Sequence, residues 1–162
     1  MAMEISDSFV IDRPRGDVFA FLVDTSHFKK VDRALVAFEP TGRMELDMHG
    51  TMQHRRGGMT ARTTWRVTKL VAEERPEIEI RGMGYRMQEA VELADDDSGT
   101  AMRVVDTLSG TSQLGNLFVA ISKGFIWRDL VARAALLRAG LESGPADGAE
   151  FHDRQPPPQP PT

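Results

Sequence analysis

The sequence predicts an α+β domain in which a curved antiparallel sheet is bracketed by helices that cross its open side. Three observations lead to it. Residues 4–11 alternate, with Ile5, Phe9 and Ile11 on one face, as a half-buried strand does. Turn chemistry then recurs at short intervals: Pro40-Thr41-Gly42, Arg56-Gly57-Gly58, Glu74-Arg75-Pro76, Gly82-Met83-Gly84 and Asp95-Asp96-Asp97-Ser98-Gly99. From 114 to 141 the chain turns helical at length and is almost uniformly apolar. Such a layout is a way of building a container.

The elements follow in order. After the first strand, Pro14 opens a helical run, Val18-Phe19-Ala20-Phe21-Leu22, that stops at Asp24. A short helical turn over 26–31 joins it to the second strand. The turns then set strands at 35–39, 44–55, 60–70, 77–81, 85–94 and 100–109, which with the first make seven in an antiparallel meander. The terminal helix is apolar in two directions. Leu114, Leu117, Phe118, Ile121 and Phe125 share one stripe, whereas Ile126, Trp127, Leu130, Leu137 and Leu141 lie on another. Such a helix must cover two surfaces, and the second stripe suits a homodimer contact. Arg128 falls with Leu114 and Phe125, where its guanidinium either approaches the lumen or snorkels to solvent.

Alternation assigns the inward faces. In the third strand Met48, Gly50, Met52 and His54 share one side, and a hairpin through Gly57-Gly58 sets His54 opposite Ala61 and Met52 opposite Thr63. That puts Ala61, Thr63, Trp65 and Val67 inward on the fourth strand. Tyr85, Met87, Glu89, Val91 and Leu93 face in from the sixth, and Met102, Val104, Asp106 and Leu108 from the seventh. Two carboxylates therefore fall on apolar faces.

Composition narrows the function classes. The 162 residues, 41% hydrophobic and 27% charged, suit one domain over 1–142. Residues 143–162, rich in Gly and Pro and ending in Pro156-Pro157-Pro158-Gln159-Pro160-Pro161, read as a disordered tail. With no cysteine, disulfides and thiolate metal sites are excluded. His49 and His54 face opposite ways in one strand, so no local metal pair forms, and no metal or cofactor is expected. The glycine pairs sit between strands and not before a helix, unlike a phosphate loop. A net charge of −4 with scattered arginines argues against nucleic acid as a partner. No run reaches the length of a membrane span and no signal segment opens the chain, so a cytoplasmic protein without stable membrane insertion is expected.

The run Phe9-Val10-Ile11-Asp12-Arg13-Pro14 followed by Val18-Phe19-Ala20-Phe21-Leu22-Val23-Asp24 resembles the opening of the START-like polyketide cyclase/dehydratase superfamily, also called SRPBCC or helix-grip proteins. Gly50-Thr51, Ser98-Gly99-Thr100 and a closing helix ending in Leu141-Glu142 stand in the same order as in that superfamily. The chain departs from it after the first helix, where many members carry tryptophan and this one has Val31. The resemblance implies a helix-grip fold, seven strands wrapped around the C-terminal helix and enclosing an apolar cavity. It also implies hydrophobic ligands such as lipids, quinones or polyketides, with cyclisation or dehydration catalysed by some members.

The lumen's polar groups must choose among these. If Leu93 pairs with Met102 across the Asp95–Gly99 turn, Glu89 lies opposite Asp106, roughly 5 Å apart at Cβ. Two like charges sharing an apolar site favour one proton between them, as a general acid/base requires. His54 would relay a proton or orient a carbonyl, and Tyr85 would donate to an enolate oxygen. Glu89, Asp106 and His54 are thus the catalytic candidates. Met48, Met52, Thr63, Trp65, Tyr85, Met87, Val104, Phe118, Ile121 and Phe125 are the candidate ligand contacts. Against catalysis, a one-residue slip near Gly84 sends Glu89 to the convex face, and Asp106 pairing with Arg128, Lys123 or a backbone donor is structural. Binding of an apolar small molecule is the first expectation, a metal-free cyclase or dehydratase the second, and a structural or dimer-forming domain with a filled core the third.

Overall fold

A computed structural model describes residues 2–56 and 58–143, with the side chains at 56, 118, 121–127, 129, 130 and 133 excepted. Strand β1 (Ala2–Ile11) is followed by helix α1 (Arg15–Leu22) and a 3-10 turn at Thr25–His27 that runs into the short helix α2 (Phe28–Val31). Then come β2 (Leu35–Glu39), β3 (His49–Arg56), β4 (Met59–Val71), β5 (Arg75–Gly82), β6 (Tyr85–Asp96), β7 (Gly99–Gly110) and the long helix α3 (Gln113–Ser143). The proposed tail lies outside the described residues apart from Ser143, which ends α3.

The seven strands form one sheet in the order β1-β7-β6-β5-β4-β3-β2. Every neighbouring pair is antiparallel. Its two free edges, β1 and β2, flank the helical segment that connects them. Register shifts between Leu35 and Ala37 in β2 and between Val67 and Lys69 in β4 bend the ribbon. The expected cross-strand pairs are present: His54 stands opposite Ala61, Met52 opposite Thr63, Leu93 opposite Met102 and Glu89 opposite Asp106.

Two local expectations need correction. The third strand begins at His49, not at 44, because Asp47 adopts a left-handed backbone (φ 66°) and Met48 N–H donates to Glu45 O at 3.1 Å. Met48 therefore closes a turn instead of lying in the strand, yet it still packs against the core and accepts from the Val67 N–H at 2.8 Å. Ala61, on the inward side of β4, is exposed because the β3–β4 hairpin runs past the core there.

The core lies on the concave face. Trp65 is buried and stacks on Phe38 with ring centroids 4.6 Å apart, and Phe28 meets Phe38 edge-on at 5.1 Å. The Trp65 indole N–H donates to Glu39 O at 3.2 Å, so its one polar atom is satisfied. Helix α1 presses Val18, Phe19 and Leu22 into this core. Strand β5 is buried on both faces: Ile78 and Ile80 point in, while Glu77 and Glu79 point out yet remain buried. Glu79 is gripped by Arg81 and Arg86, and Glu77 accepts from Thr68 and Gln88 and faces Arg75. Among the described residues no helix is long and apolar enough to cross a membrane.

Candidate functional site

Between the concave face and the helices lies a cavity of about 80 Å³. Its wall is built from almost every element. Leu22 comes from α1, Phe28 and Val31 from α2, Leu35 and Phe38 from β2, Ile78 from β5, Val91 from β6, Val104 from β7, and Ala134 and Leu137 from α3. Met44, Met52 and Pro76 complete the apolar part. Polar groups enter at four places only among the described lining: Asp32, His54, Glu89 and Asp106.

Each polar group is aimed by its backbone. Glu89 and Asp106 face each other across the β6–β7 ladder, a spacing of roughly 5 Å at Cβ, and the regular register from Tyr85 to Asp96 holds both on the concave side. Asp106 is buried and Glu89 half-buried. On another wall, His54 Nε2 lies 3.3 Å from Asp32 Oδ2, with both side chains largely withdrawn from water. Asp32 is itself fixed, because its Oδ1 accepts from the Ala34 N–H at 2.8 Å just after α2. The imidazole is thereby oriented by a carboxylate from the helical segment, a carboxylate–histidine arrangement suited to holding a ring in one tautomer.

The three catalytic candidates, Glu89, Asp106 and His54, thus all line the one cavity, as do Met52 and Val104. The other candidate contacts fall elsewhere. Thr63, Trp65 and Met87 are buried in the sheet's core but do not line the cavity, and Met48 lies in the turn before β3. Tyr85 covers Gly82 at the β5–β6 hairpin, where a Cβ on that glycine would come within 2.2 Å of the ring. The side chains of Phe118, Ile121 and Phe125 lie outside the described ones. Sequence reasoning missed Asp32, whose setting in Val31-Asp32-Arg33-Ala34 reads as an ordinary turn. Its only signal was position, immediately after a helical turn and before the edge strand that pairs with His54.

What the arrangement can do is bounded by size and by chemistry. A cavity of about 80 Å³ is smaller than the roughly 150 Å³ apolar void that admits benzene, and well below the roughly 300 Å³ at which ligand pockets begin. A drug-sized ligand therefore requires the wall to open. No three His, Asp or Glu groups among the described residues are placed to hold a metal ion.

No protein-family model matches the sequence, and no curated protein matches it. Solved structures do. A protein of Chromobacterium violaceum, CV1439, superposes with a TM-score of 0.68 at 19% identity, covering 86% of this chain and 98% of that one. Ara h 8.0201 gives 0.64 at 12% identity over 87% of this chain and 98% of its own. DynU16, a protein of the dynemicin biosynthetic locus, gives 0.60 at 15% identity; it covers 88% of this chain but only 48% of its own, so this chain spans about half of it. At such identities the likeness carries the architecture and nothing finer. The chain adopts the helix-grip fold.

Proposed function

We propose that the chain binds a hydrophobic small molecule in the cavity between the sheet and α3. The observation that carries this reading is a wall that is apolar except for Asp32, His54, Glu89 and Asp106, the pattern of an orienting polar patch inside a greasy pocket. The apolar residues would take the ligand's body, and the polar ones would hold a hydroxyl, carbonyl or amine on it. Native mass spectrometry of the protein purified from its own host tests this. A retained apolar ligand that Val104→Phe displaces is expected. A chain that carries none, and binds none from a lipid and polyketide extract, refutes it and favours a domain with a structural role.

A second reading rests on the direct opposition of Glu89 and Asp106 within the same cavity as His54. Two facing carboxylates beside a polyketide-like carbonyl supply one group to take the α-proton and one to protonate the departing hydroxyl, the paired transfers that dehydration needs and that leave no net proton consumed. The origin of DynU16 in a biosynthetic locus is compatible with that chemistry. Asp106→Asn and Glu89→Gln separate the two readings: a binder keeps its ligand with modest changes in affinity, whereas an enzyme loses turnover while still folding.

A further inference from the structure

The antiparallel order places the β3–β4 turn, the β5–β6 turn and the start of α3 on one rim of the sheet, and the β4–β5 and β6–β7 turns on the opposite rim. The two rims differ in kind. On the first, Met83 is 99% exposed, Leu114 80%, Met59 78% and Leu117 55%, large apolar side chains with no cover. The rim is not loose: Gly84 O accepts from the Thr111 N–H at 3.0 Å, and Gly115 lies so close that a Cβ on it would stand 1.9 Å from that oxygen. The β5–β6 turn is thus seated on the head of α3 through Gly84 and Gly115, which puts Met83 and Leu114 on the same rim.

Charge follows the same division. Hairpin residues 55–62 and 81–86 contain Arg55, Arg56, Arg62, Arg81 and Arg86 and no carboxylate. Arg81 and Arg86 share Glu79, which leaves that group with a surplus of positive charge. The opposite rim carries Glu73, Glu74, Asp95, Asp96 and Asp97 at its two turns, with Arg75 beside the first and Arg15 3.5 Å from Asp95 offsetting part of that charge. In a protein of net charge −4 this segregation makes an electrical dipole from one rim of the sheet to the other, positive where the apolar tips project.

We infer that this rim docks on an anionic lipid surface, Met59, Met83, Leu114 and Leu117 entering the headgroup layer while Arg55, Arg62, Arg81 and Arg86 meet lipid phosphates. The combination selects this partner. Projecting methionine and leucine gain nothing from a nucleic acid backbone, whereas a bilayer rewards both apolar tips and flanking arginines, and the acidic far rim turns the molecule the right way round. This surface is distinct from the cavity, so the proposal stands or falls apart from the ligand reading.

Flotation of the full chain with phosphatidylcholine vesicles, and with vesicles of equal parts phosphatidylcholine and phosphatidylglycerol, tests it. Binding to the anionic vesicles alone is expected, weakening as salt rises. Arg62→Gln should weaken it about fivefold, and Met83→Asp with Leu114→Asp roughly tenfold or more. Leu46→Asp, at an exposed leucine on the opposite rim, should leave it unchanged. Failure to bind anionic vesicles, equal binding to neutral ones, or binding that Met83→Asp with Leu114→Asp does not alter overturns the proposal. So does preferential capture of an RNA duplex over vesicles.

Discussion

Filling the cavity from α3 is the sharpest probe of the site. Ala134 is buried and lines the void, so Ala134→Leu would place three further carbons inside it without touching the polar wall residues by substitution. Burying three carbon groups is worth about 2.4 kcal/mol, from which ordering a leucine side chain removes about 0.5–1 kcal/mol. An independent route agrees: a void of about 80 Å³, at about 24 cal/mol per Å³, costs about 2 kcal/mol that filling would recover. The variant should therefore gain about 2 kcal/mol in urea denaturation, as a raised midpoint with an unchanged slope, and lose any cavity ligand. Both outcomes are required. A loss of stability of similar size, or a gain with ligand still bound, would refute the assignment of this void as the binding site.

Three further outcomes follow from the fold. Arg81 first, and Arg86 beside it, hold the buried Glu79 carboxyl below its ordinary value of 4.5, so its contribution is present above that pH and lost as the pH falls through the lowered value; Glu79→Gln should flatten the acid limb of a stability–pH curve, and parallel limbs count against the pairing. Gly50→Ala would set a Cβ 1.8 Å from the Glu39 carbonyl and should cost about 3 kcal/mol or more, whereas Gly16→Ala in α1, where the nearest atom is Glu73 Oε1 at 3.5 Å, should be neutral or gain up to about 1 kcal/mol; equal denaturation midpoints for the two would contradict the close β2–β3 approach. Trp65→Phe removes the indole bond to the Glu39 carbonyl and should cost about 1 kcal/mol by thermal or urea unfolding, with no loss meaning that the indole bond contributes nothing.

Register was the part of the site most legible in the sequence. Gly57-Gly58 fixed the β3–β4 hairpin, and the Asp95–Gly99 turn fixed β6 against β7, so the pairing of Glu89 with Asp106 followed from alternation alone. Alternation failed where its premise failed. Met44-Glu45-Leu46-Asp47 alternates as a strand does, yet the left-handed Asp47 makes it a turn. Glu77 and Glu79 alternate with Ile78 and Ile80 and so point outward, but are buried because Arg75, Arg81, Arg86 and Gln88 lie over them from the same and neighbouring strands. Asp32 was illegible for a different reason. Its meaning comes from a histidine on another strand, and no local pattern reports a contact between an inter-element turn and the edge of a sheet.

The smallness of the cavity identifies which wall must yield. Helix α1 buries Val18, Phe19 and Leu22, and β5 to β7 are paired on both sides, so none of these opens without losing much apolar contact. Helix α2 is four residues long and buries none of them fully, yet Phe28 and Val31 form part of the wall. It is held at its end by the 3.3 Å link from Asp32 to His54 on β3 and at its flank by Val31 against Gly140 of α3, where a Cβ would come within 2.9 Å. Local opening should therefore begin at 28–34. In hydrogen exchange, amides of this segment should exchange well before those of β6 and β7, and His54→Ala should speed them up to about fivefold, since a partly buried polar contact of this kind is worth up to about 1 kcal/mol. A bound ligand should slow them again. If α2 is protected as strongly as the central strands, the wall opens elsewhere, and His54 would owe its place in the cavity to the ligand and not to the hinge.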